Sequence, residues 1–391
     1  MGMGDSLRTE DDEMVLDAPQ ALPPPAIVSP APREVSFGHV SGSVPAGTRR
    51  LVVRAGGRVL TDRPLRGRHF SLRVELPPRL LSLRVTAVAR DGGRVYSEVA
   101  SVYGLPRAAT PRAVVGHLDV ALARDLRALT SGFPGTSAVY VQDLRDGRGA
   151  AWNAAARFPA ASTLKLAIAV TVLTRHRGKP ASESRLGRLL RKMLVESDNS
   201  AANELEVWLG GSTSAGAAHV NQTMWSLGMR DSVMYGGYEP SPLRRPAGPG
   251  SASPAPIPIR VESAPSFGLG KHTSATDLAT LLRAVYLAAG AKGPLLRLGV
   301  TASEARHLLW LLAMVADRGK LGRFLAGPID GPVTLLHKAG WLATARHDAG
   351  IVFWPGGAFV ATVLTWRPDG VERRSDVLAG HVAAKALRRL R

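Results

Sequence analysis

The sequence predicts an α+β protein of two domains, a small immunoglobulin-like β-sandwich followed by a larger domain of mixed helices and strands. Three observations carry this. Over residues 34–105 apolar residues recur with a period of two, in short runs separated by turn residues. Beyond Pro106 the pattern changes to mixed helix and strand. The last strand-like runs cluster near the C-terminus, followed by one helix, which is segregated α+β order and not βαβ alternation. At 391 residues and 45% apolar content, the chain has room for two domains and enough material for a core.

Residues 1–33 read as a disordered leader. Its second half is rich in proline (Pro23, Pro24, Pro25, Pro30, Pro32), which favours extended, unpacked backbone. In the sandwich, Phe70-Ser71-Leu72-Arg73-Val74 and Leu83-Arg84-Val85-Thr86-Ala87-Val88 alternate in and out, and Asp91-Gly92-Gly93 is a hairpin signal. No catalytic side chains converge there, so a spacer or docking role is expected. Residues 106–112 read as a linker. In the domain from 113 to 391, helices are expected over 114–129, 164–173, 185–195, 201–209, 220–227, 276–288, 303–316 and 375–390. Strands are expected over 137–144, 150–153, 333–337, 349–353 and 359–366. Residues 235–270 are rich in Gly, Pro and Ser without a period, and read as a functional flap or as disordered.

Composition narrows the function. The chain has no cysteine, which removes disulfides, thiolate catalysis and thiolate metal sites. No apolar run is long enough to span a membrane as a helix. The formal charge is +19, with 50 basic residues of which only eight are lysines. The arginines are scattered, as in Arg49-Arg50, Arg244-Arg245 and Arg388-Arg389, without aromatic interleaving, so nucleic acid is not expected as a partner. The first 17 residues are acidic and lack an apolar segment, so no export signal is visible.

Three short motifs carry chemistry. In Ser162-Thr163-Leu164-Lys165, residues i and i+3 at a helix start share a face. A serine hydroxyl needs a base, and a lysine serves when burial or nearby cations lower its pKa. The helix start offers N–H groups to an oxyanion. Alone, the motif is equally an N-cap serine and a solvated lysine. Ser197-Asp198-Asn199 lies between two helices, where Ser197 can relay a proton and Asn199 can orient an amide, though all three residue types also favour helix caps. Lys338-Ala339-Gly340 lies on a late strand, where a lysine can hold a carboxylate and Trp341 can supply an oxyanion N–H. An ordinary edge-strand lysine would look the same.

The three motifs together, in this order and context, resemble those of class A β-lactamases and the related penicillin-binding serine enzymes. Arg157 to Lys165 looks like the stretch around that family's nucleophile, and Ser197 to Leu205, with Gly210-Gly211 after it, like its second motif. Leu227-Gly228-Met229 and residues 273–278 are also similar, so the resemblance covers roughly residues 113–391. It implies a β-lactamase/transpeptidase-like domain, no cofactor and no metal. It implies Ser162 as nucleophile, Lys165 as base, Ser197 as relay, and Asn199, Lys338, Ala339, Gly340 and Trp341 as substrate-binding. The substrate would be a β-lactam or a peptidoglycan-like peptide. The protein would be a monomer of the cell envelope or secreted, with the sandwich meeting an envelope partner; without a visible signal, a cytoplasmic location stays open.

The sequence departs from the family in three places. The family's Glu-x-x-Leu-Asn pattern, whose Glu activates the deacylating water, is absent. Glu239 and Glu262 are the candidates, with Glu262 the better placed, ahead of Thr273. Ala339 replaces a Thr or Ser that helps hold a substrate carboxylate, which Arg346 or His337 would have to offset. Ser162 and Ser197 are only 35 residues apart, so one cleft wall is expected to be thinner. His337, His347 and Asp348 flank the third motif but lack the set a metal needs. The readings left open are a turning-over hydrolase, a penicillin-binding-type peptidase with slow deacylation, and a non-catalytic envelope-binding protein.

Overall fold

A computed structural model describes residues 23–238, 257–326, 331–371 and 373–391. The first unit is a β-sandwich. One sheet runs in the order Ala26–Ser29, His39–Ser43, His69–Arg73, and the other in the order Val35–Ser36, Arg94–Gly104, Leu80–Ala89, Thr48–Ala55, Arg58–Pro64. The strict alternation of His69–Arg73 turns Phe70 and Leu72 inward, onto Leu83, Val85 and Ala87 of the opposite sheet. Ala26–Ser29 corrects the expected leader boundary at 33. Proline is tolerated beside an edge strand, which needs only one side of its backbone paired. This strand pairs Ala26 with Ser43, and the Pro25 carbonyl accepts from Ser97 Oγ at 2.5 Å.

The expected linker is packed, not loose. Arg107–Ala109 forms a 3-10 turn whose Ala109 carbonyl accepts from Tyr286 Oη at 2.7 Å. Val35, Phe37, Tyr103 and Leu105 join the larger domain's core, where Phe37 meets the rings of Tyr286 and Phe353. Buried Glu34 takes Arg306 Nε at 2.7 Å and Lys179 Nζ at 3.4 Å. The Tyr103 and Thr334 hydroxyls are 2.6 Å apart. The sandwich therefore keeps a core of its own and is fastened to the larger domain by a buried apolar contact.

The larger domain has a six-stranded sheet in the order Thr334–Trp341, Ala345–Trp354, Gly357–Trp366, Thr136–Asp143, Arg148–Trp152, His117–Leu118. Helices Val120–Ser131 and Arg373–Leu390 cover one face, with Leu122, Leu126, Val382 and Leu387 against Val139, Val352 and Phe359. The other face carries helix Ala275–Ala289 and a helical lobe made by Lys165–Arg175, Arg185–Arg191, Asn199–Gly210 and Thr213–Ser226. Helix Lys165–Arg175 is buried from Lys165 through Leu173, which is why its sequence shows no polar face.

Side-chain caps set most helix boundaries. Asp119 accepts from the Leu122 N–H, so the first helix starts at Val120 and not at 114, and His117–Leu118 becomes an edge strand beside Arg148 and Gly149. Ser212 caps helix Thr213–Ser226, whose first half lacks the apolar period that would have announced it. Helix Arg185–Arg191 widens into a π-helical turn at Lys192–Glu196, which ends on Ser197. Such turns concentrate at functional sites.

Candidate active site

The three motifs converge. Ser162 sits in the turn entering helix Lys165–Arg175, where the Lys165 N–H donates to the Ser162 carbonyl at 3.3 Å. Ala161 before it has φ +49° and Ser197 has φ +60°. These are two of six non-glycine residues with positive φ among the described residues, one just before the first motif and one in the second. Asp198 caps the next helix through the Ala201 N–H at 2.6 Å, which turns Ser197 and Asn199 back toward Lys165.

Lys165 is fully buried, and its Nζ donates to the Ser197 carbonyl at 2.5 Å and to Asn199 Oδ1 at 2.6 Å. Among the described residues no side chain hydrogen-bonds Ser162 Oγ, so the amine rests on the second motif one turn from Ser162. Burial, then the Lys338 and Lys271 charges, push the Lys165 pKa down to about 7 against the pull of Asp198. Lys338 donates to Ser197 Oγ at 2.9 Å and to the Ala339 carbonyl at 2.9 Å. Burial takes its pKa to about 8, with Asp348 and Asp317 raising it and Lys320 lowering it. Ser197 thus meets one amine on its carbonyl and the other on its hydroxyl.

The third-motif strand is the free edge of the sheet. Its hairpin closes with reciprocal hydrogen bonds between Leu342 and Ala345. Alternation along the ladder then turns the backbone groups of Ala339 and Trp341 away from the neighbouring strand. That outward edge passes directly beside the turn that carries Ser162. A Cβ on Gly340 would lie 2.8 Å from the Ser162 nitrogen and 3.0 Å from that of Thr163. Only glycine allows this approach. The Trp341 side chain is 68% exposed and takes no part in the core. His347, opposite Gly340, donates from Nε2 to the Pro159 carbonyl at 2.6 Å and accepts from the Thr365 N–H at 3.3 Å, which ties the strand to the segment before Ser162.

A model of the β-lactamase enzyme family matches residues 121–182 and 175–390. The chain belongs to this family. The family domain is the α+β unit just described. The fold is similar to a solved structure of PBP-A, with 22% identity, a TM-score of 0.53, and coverage of 71% of this chain and 97% of that one. It is also similar to a β-lactamase from Streptosporangium roseum, with 20% identity, a TM-score of 0.51, and coverage of 70% and 99%. A PBP-A variant in acyl-enzyme complex with penicillin G gives 21% identity and a TM-score of 0.51, with coverage of 71% and 98%. No curated protein matches the chain.

Several family-based expectations change. Glu262 does not join the site. Its N–H donates to Asn153 Oδ1 at 2.7 Å, and it lines a surface cavity of about 410 Å³ with Arg124, Arg127 and Trp152. Glu239 lies outside the described residues. Neither proposed substitute for the missing third-motif hydroxyl is free: Arg346 pairs with Asp376 at 3.0 and 2.9 Å, and buried His337 pairs with Asp348 at 2.7 Å. No group of three or more metal-ligating side chains occurs among the described residues, and no helix among them is long and apolar enough to cross a membrane.

Four site residues have no motif to announce them. The Tyr238 ring lies 4.8 Å from Lys165 Nζ and 3.9 Å from Lys271 Nζ. Asn203 and Glu206 hold the backbone at Tyr238 and Gly237. The available signal was the spacing of Asn199, Asn203 and Glu206, which puts three polar residues on one face of the helix beside buried Ala202 and Leu205.

Proposed function

We propose that the protein is a serine hydrolase that forms an acyl-enzyme on Ser162 with β-lactam or related amide or ester substrates. The observation that carries this is Lys165, an amine with no exposure, two cationic neighbours and a pKa near 7, one turn from a serine. In its neutral form Lys165 takes the Ser162 Oγ proton as Oγ attacks the carbonyl. The N–H groups of Ser162 and Trp341 hold the oxyanion. Ser197 Oγ passes a proton to the leaving nitrogen and takes up in its place the proton that Lys165 received from Ser162, so Lys165 returns to neutral and Lys338 keeps its charge. Asn199, Lys338 and the Ala339–Gly340 edge position the substrate. Water then releases the acid and regenerates Ser162.

A second reading, slow deacylation, rests on a separate observation. Among the described residues no carboxylate hydrogen-bonds Ser162 or Lys165, and Glu262 stands elsewhere. Glu239 is the remaining candidate for activating water. The likeness to PBP-A, one form of which is an acyl-enzyme with penicillin G, fits this reading. On either reading the protein acts in the envelope or outside the cell as a monomer, and its sandwich, immunoglobulin-like in kind, docks an envelope partner.

Intact-mass spectrometry after exposure to penicillin G tests both readings. Wild type should gain one penicillin mass, and Ser162→Ala should not. An adduct that persists for hours indicates slow release, and one that vanishes within seconds indicates turnover. No adduct with penicillin or a fluorophosphonate would sink the proposal.

A further inference from the structure

Helix Asn199–Gly210 sends three side chains toward the site. Asn199 Oδ1 accepts from Lys165, Asn203 Oδ1 accepts from the Tyr238 N–H at 2.6 Å, and Glu206 Oε2 accepts from the Gly237 N–H at 2.8 Å. Lys271 donates to the Gly237 carbonyl from the other side. The Gly237–Tyr238 backbone is therefore gripped at three points, and the Tyr238 ring is left between two ammonium groups. Glu206 is fully buried, and its Oε1 has no hydrogen-bond partner among the described residues.

We propose that Glu206 is a positioning residue for the acylation step: with Asn203 and Lys271 it clamps Gly237 and Tyr238 so that the Tyr238 ring covers Lys165 and keeps water from it. The segment does not need an acid merely to stay in place. Asn221 already holds Met234 through both its backbone groups, at 2.7 and 2.9 Å. A buried carboxyl with one oxygen unpaired is poor core material, and leucine would pack there without that cost. The groups that face Lys165 are Lys338, Lys271 and Asp198. Glu206 faces Lys271, and burial pushes its own pKa up to about 7.

The proposal rests on Lys165 being the base, so its test reads Lys165 without substrate. The protein has eight lysines, few enough to follow individually by NMR after labelling their ε-carbons, with Lys165 assigned from its loss in Lys165→Met. The signs separate a clamp from a charge effect. If Glu206 acts only through its charge, Glu206→Leu removes a negative neighbour and Lys165 titrates lower. If it acts as a clamp, Glu206→Leu lets water reach the amine, and Lys165 titrates higher by about one pH unit, a tenfold change in proton affinity. Glu206→Gln keeps the acceptor for Gly237, and the Lys165 titration should stay low. Tyr238→Ala should reproduce the rise, and it decides the matter if Glu206→Leu does not fold. A folded Glu206→Leu or Tyr238→Ala whose Lys165 titrates at or below the wild-type value overturns the inference. Penicillin adducts measured on the same samples keep the two readings apart. A wild type that shows the low Lys165 titration but forms no adduct would defeat the proposed function and leave the clamp standing.

Discussion

Replacing Gly340 with alanine is the sharpest geometric challenge to the site. The added Cβ would lie 2.8 Å from the Ser162 nitrogen and 3.0 Å from the Thr163 nitrogen, both backbone atoms that cannot rotate away. Ordinary contact begins near 3.4 Å, so the strand edge or the nucleophile turn must move by about 0.6 Å. That motion separates the N–H of Ser162 from the outward N–H of Trp341, the two groups assigned to the oxyanion. Losing one oxyanion donor costs roughly 10²- to 10³-fold, and a misplacement of about 1 Å roughly 10²-fold. Gly340→Ala should therefore acylate with penicillin about 10²-fold more slowly than wild type, followed by intact mass over time. Its urea midpoint should move little, because the displaced edge is the outermost strand of the sheet. A folded Gly340→Ala that acylates within threefold of wild type would refute the assignment of this edge to the oxyanion site.

Other consequences are equally direct. The pH profile of acylation should rise through about 7, as Lys165 loses its proton, and fall above about 8, as Lys338 does; these apparent values belong to the coupled pair, and a profile flat from 6 to 9 would exclude a lysine base. Ser197→Ala and Ser197→Gly should both acylate at least about 10²-fold slower, because both lose the relay hydroxyl. Glycine suits the +60° φ, so Ser197→Gly should be the more stable of the two by about 1 kcal/mol in urea denaturation. Burial lowers the His347 pKa from 6.5 to about 4, so the unfolded chain takes up this proton first as pH falls. The stability from keeping it neutral is whole above 6.5 and is lost on the way down through 4, by about 3 kcal/mol; His347→Gln should remove this part of the acid sensitivity.

What could be read in the sequence was chemistry carried by near neighbours in the chain. Ser162 and Lys165 are three residues apart, and the apolar run after them already implied a buried amine. Ser197, Asp198 and Asn199 are contiguous, and the cap at Asp198 fixes their directions. The N-terminal strands were legible because alternation is local to each strand. Contacts closed across long stretches of chain were not legible. Glu206 meets Gly237 across 31 residues and Lys271 meets it across 34, with no spacing rule to link them. Glu262 looked suitable because of its place ahead of Thr273, yet its backbone N–H is captured by Asn153, 109 residues away in the chain. Arg346 and His337 looked available until their acidic partners appeared, Asp376 from the last helix and Asp348 from the adjacent strand.

The arrangement also explains how one residue can serve two lysines whose tasks conflict. In the proposed reaction the base is neutral near pH 7, while the lysine on the strand stays charged to hold an anion and to keep its hydrogen bond to Ser197. Both are buried, so burial alone would push both down. They differ in company. Lys165 has the Lys338 and Lys271 charges against a single Asp198, whereas Lys338 has Asp348 and Asp317 to offset Lys320. The left-handed turn at Ser197, which ends the π-helical turn before it, offers a carbonyl to the first amine and a hydroxyl to the second. In the proposed mechanism Lys165 becomes a second full charge beside Lys338 as it gains the Ser162 proton. That repulsion favours passing a proton onward through Ser197 to the leaving nitrogen. The order proposed for the acylation step follows from which amine has the fewer acidic neighbours.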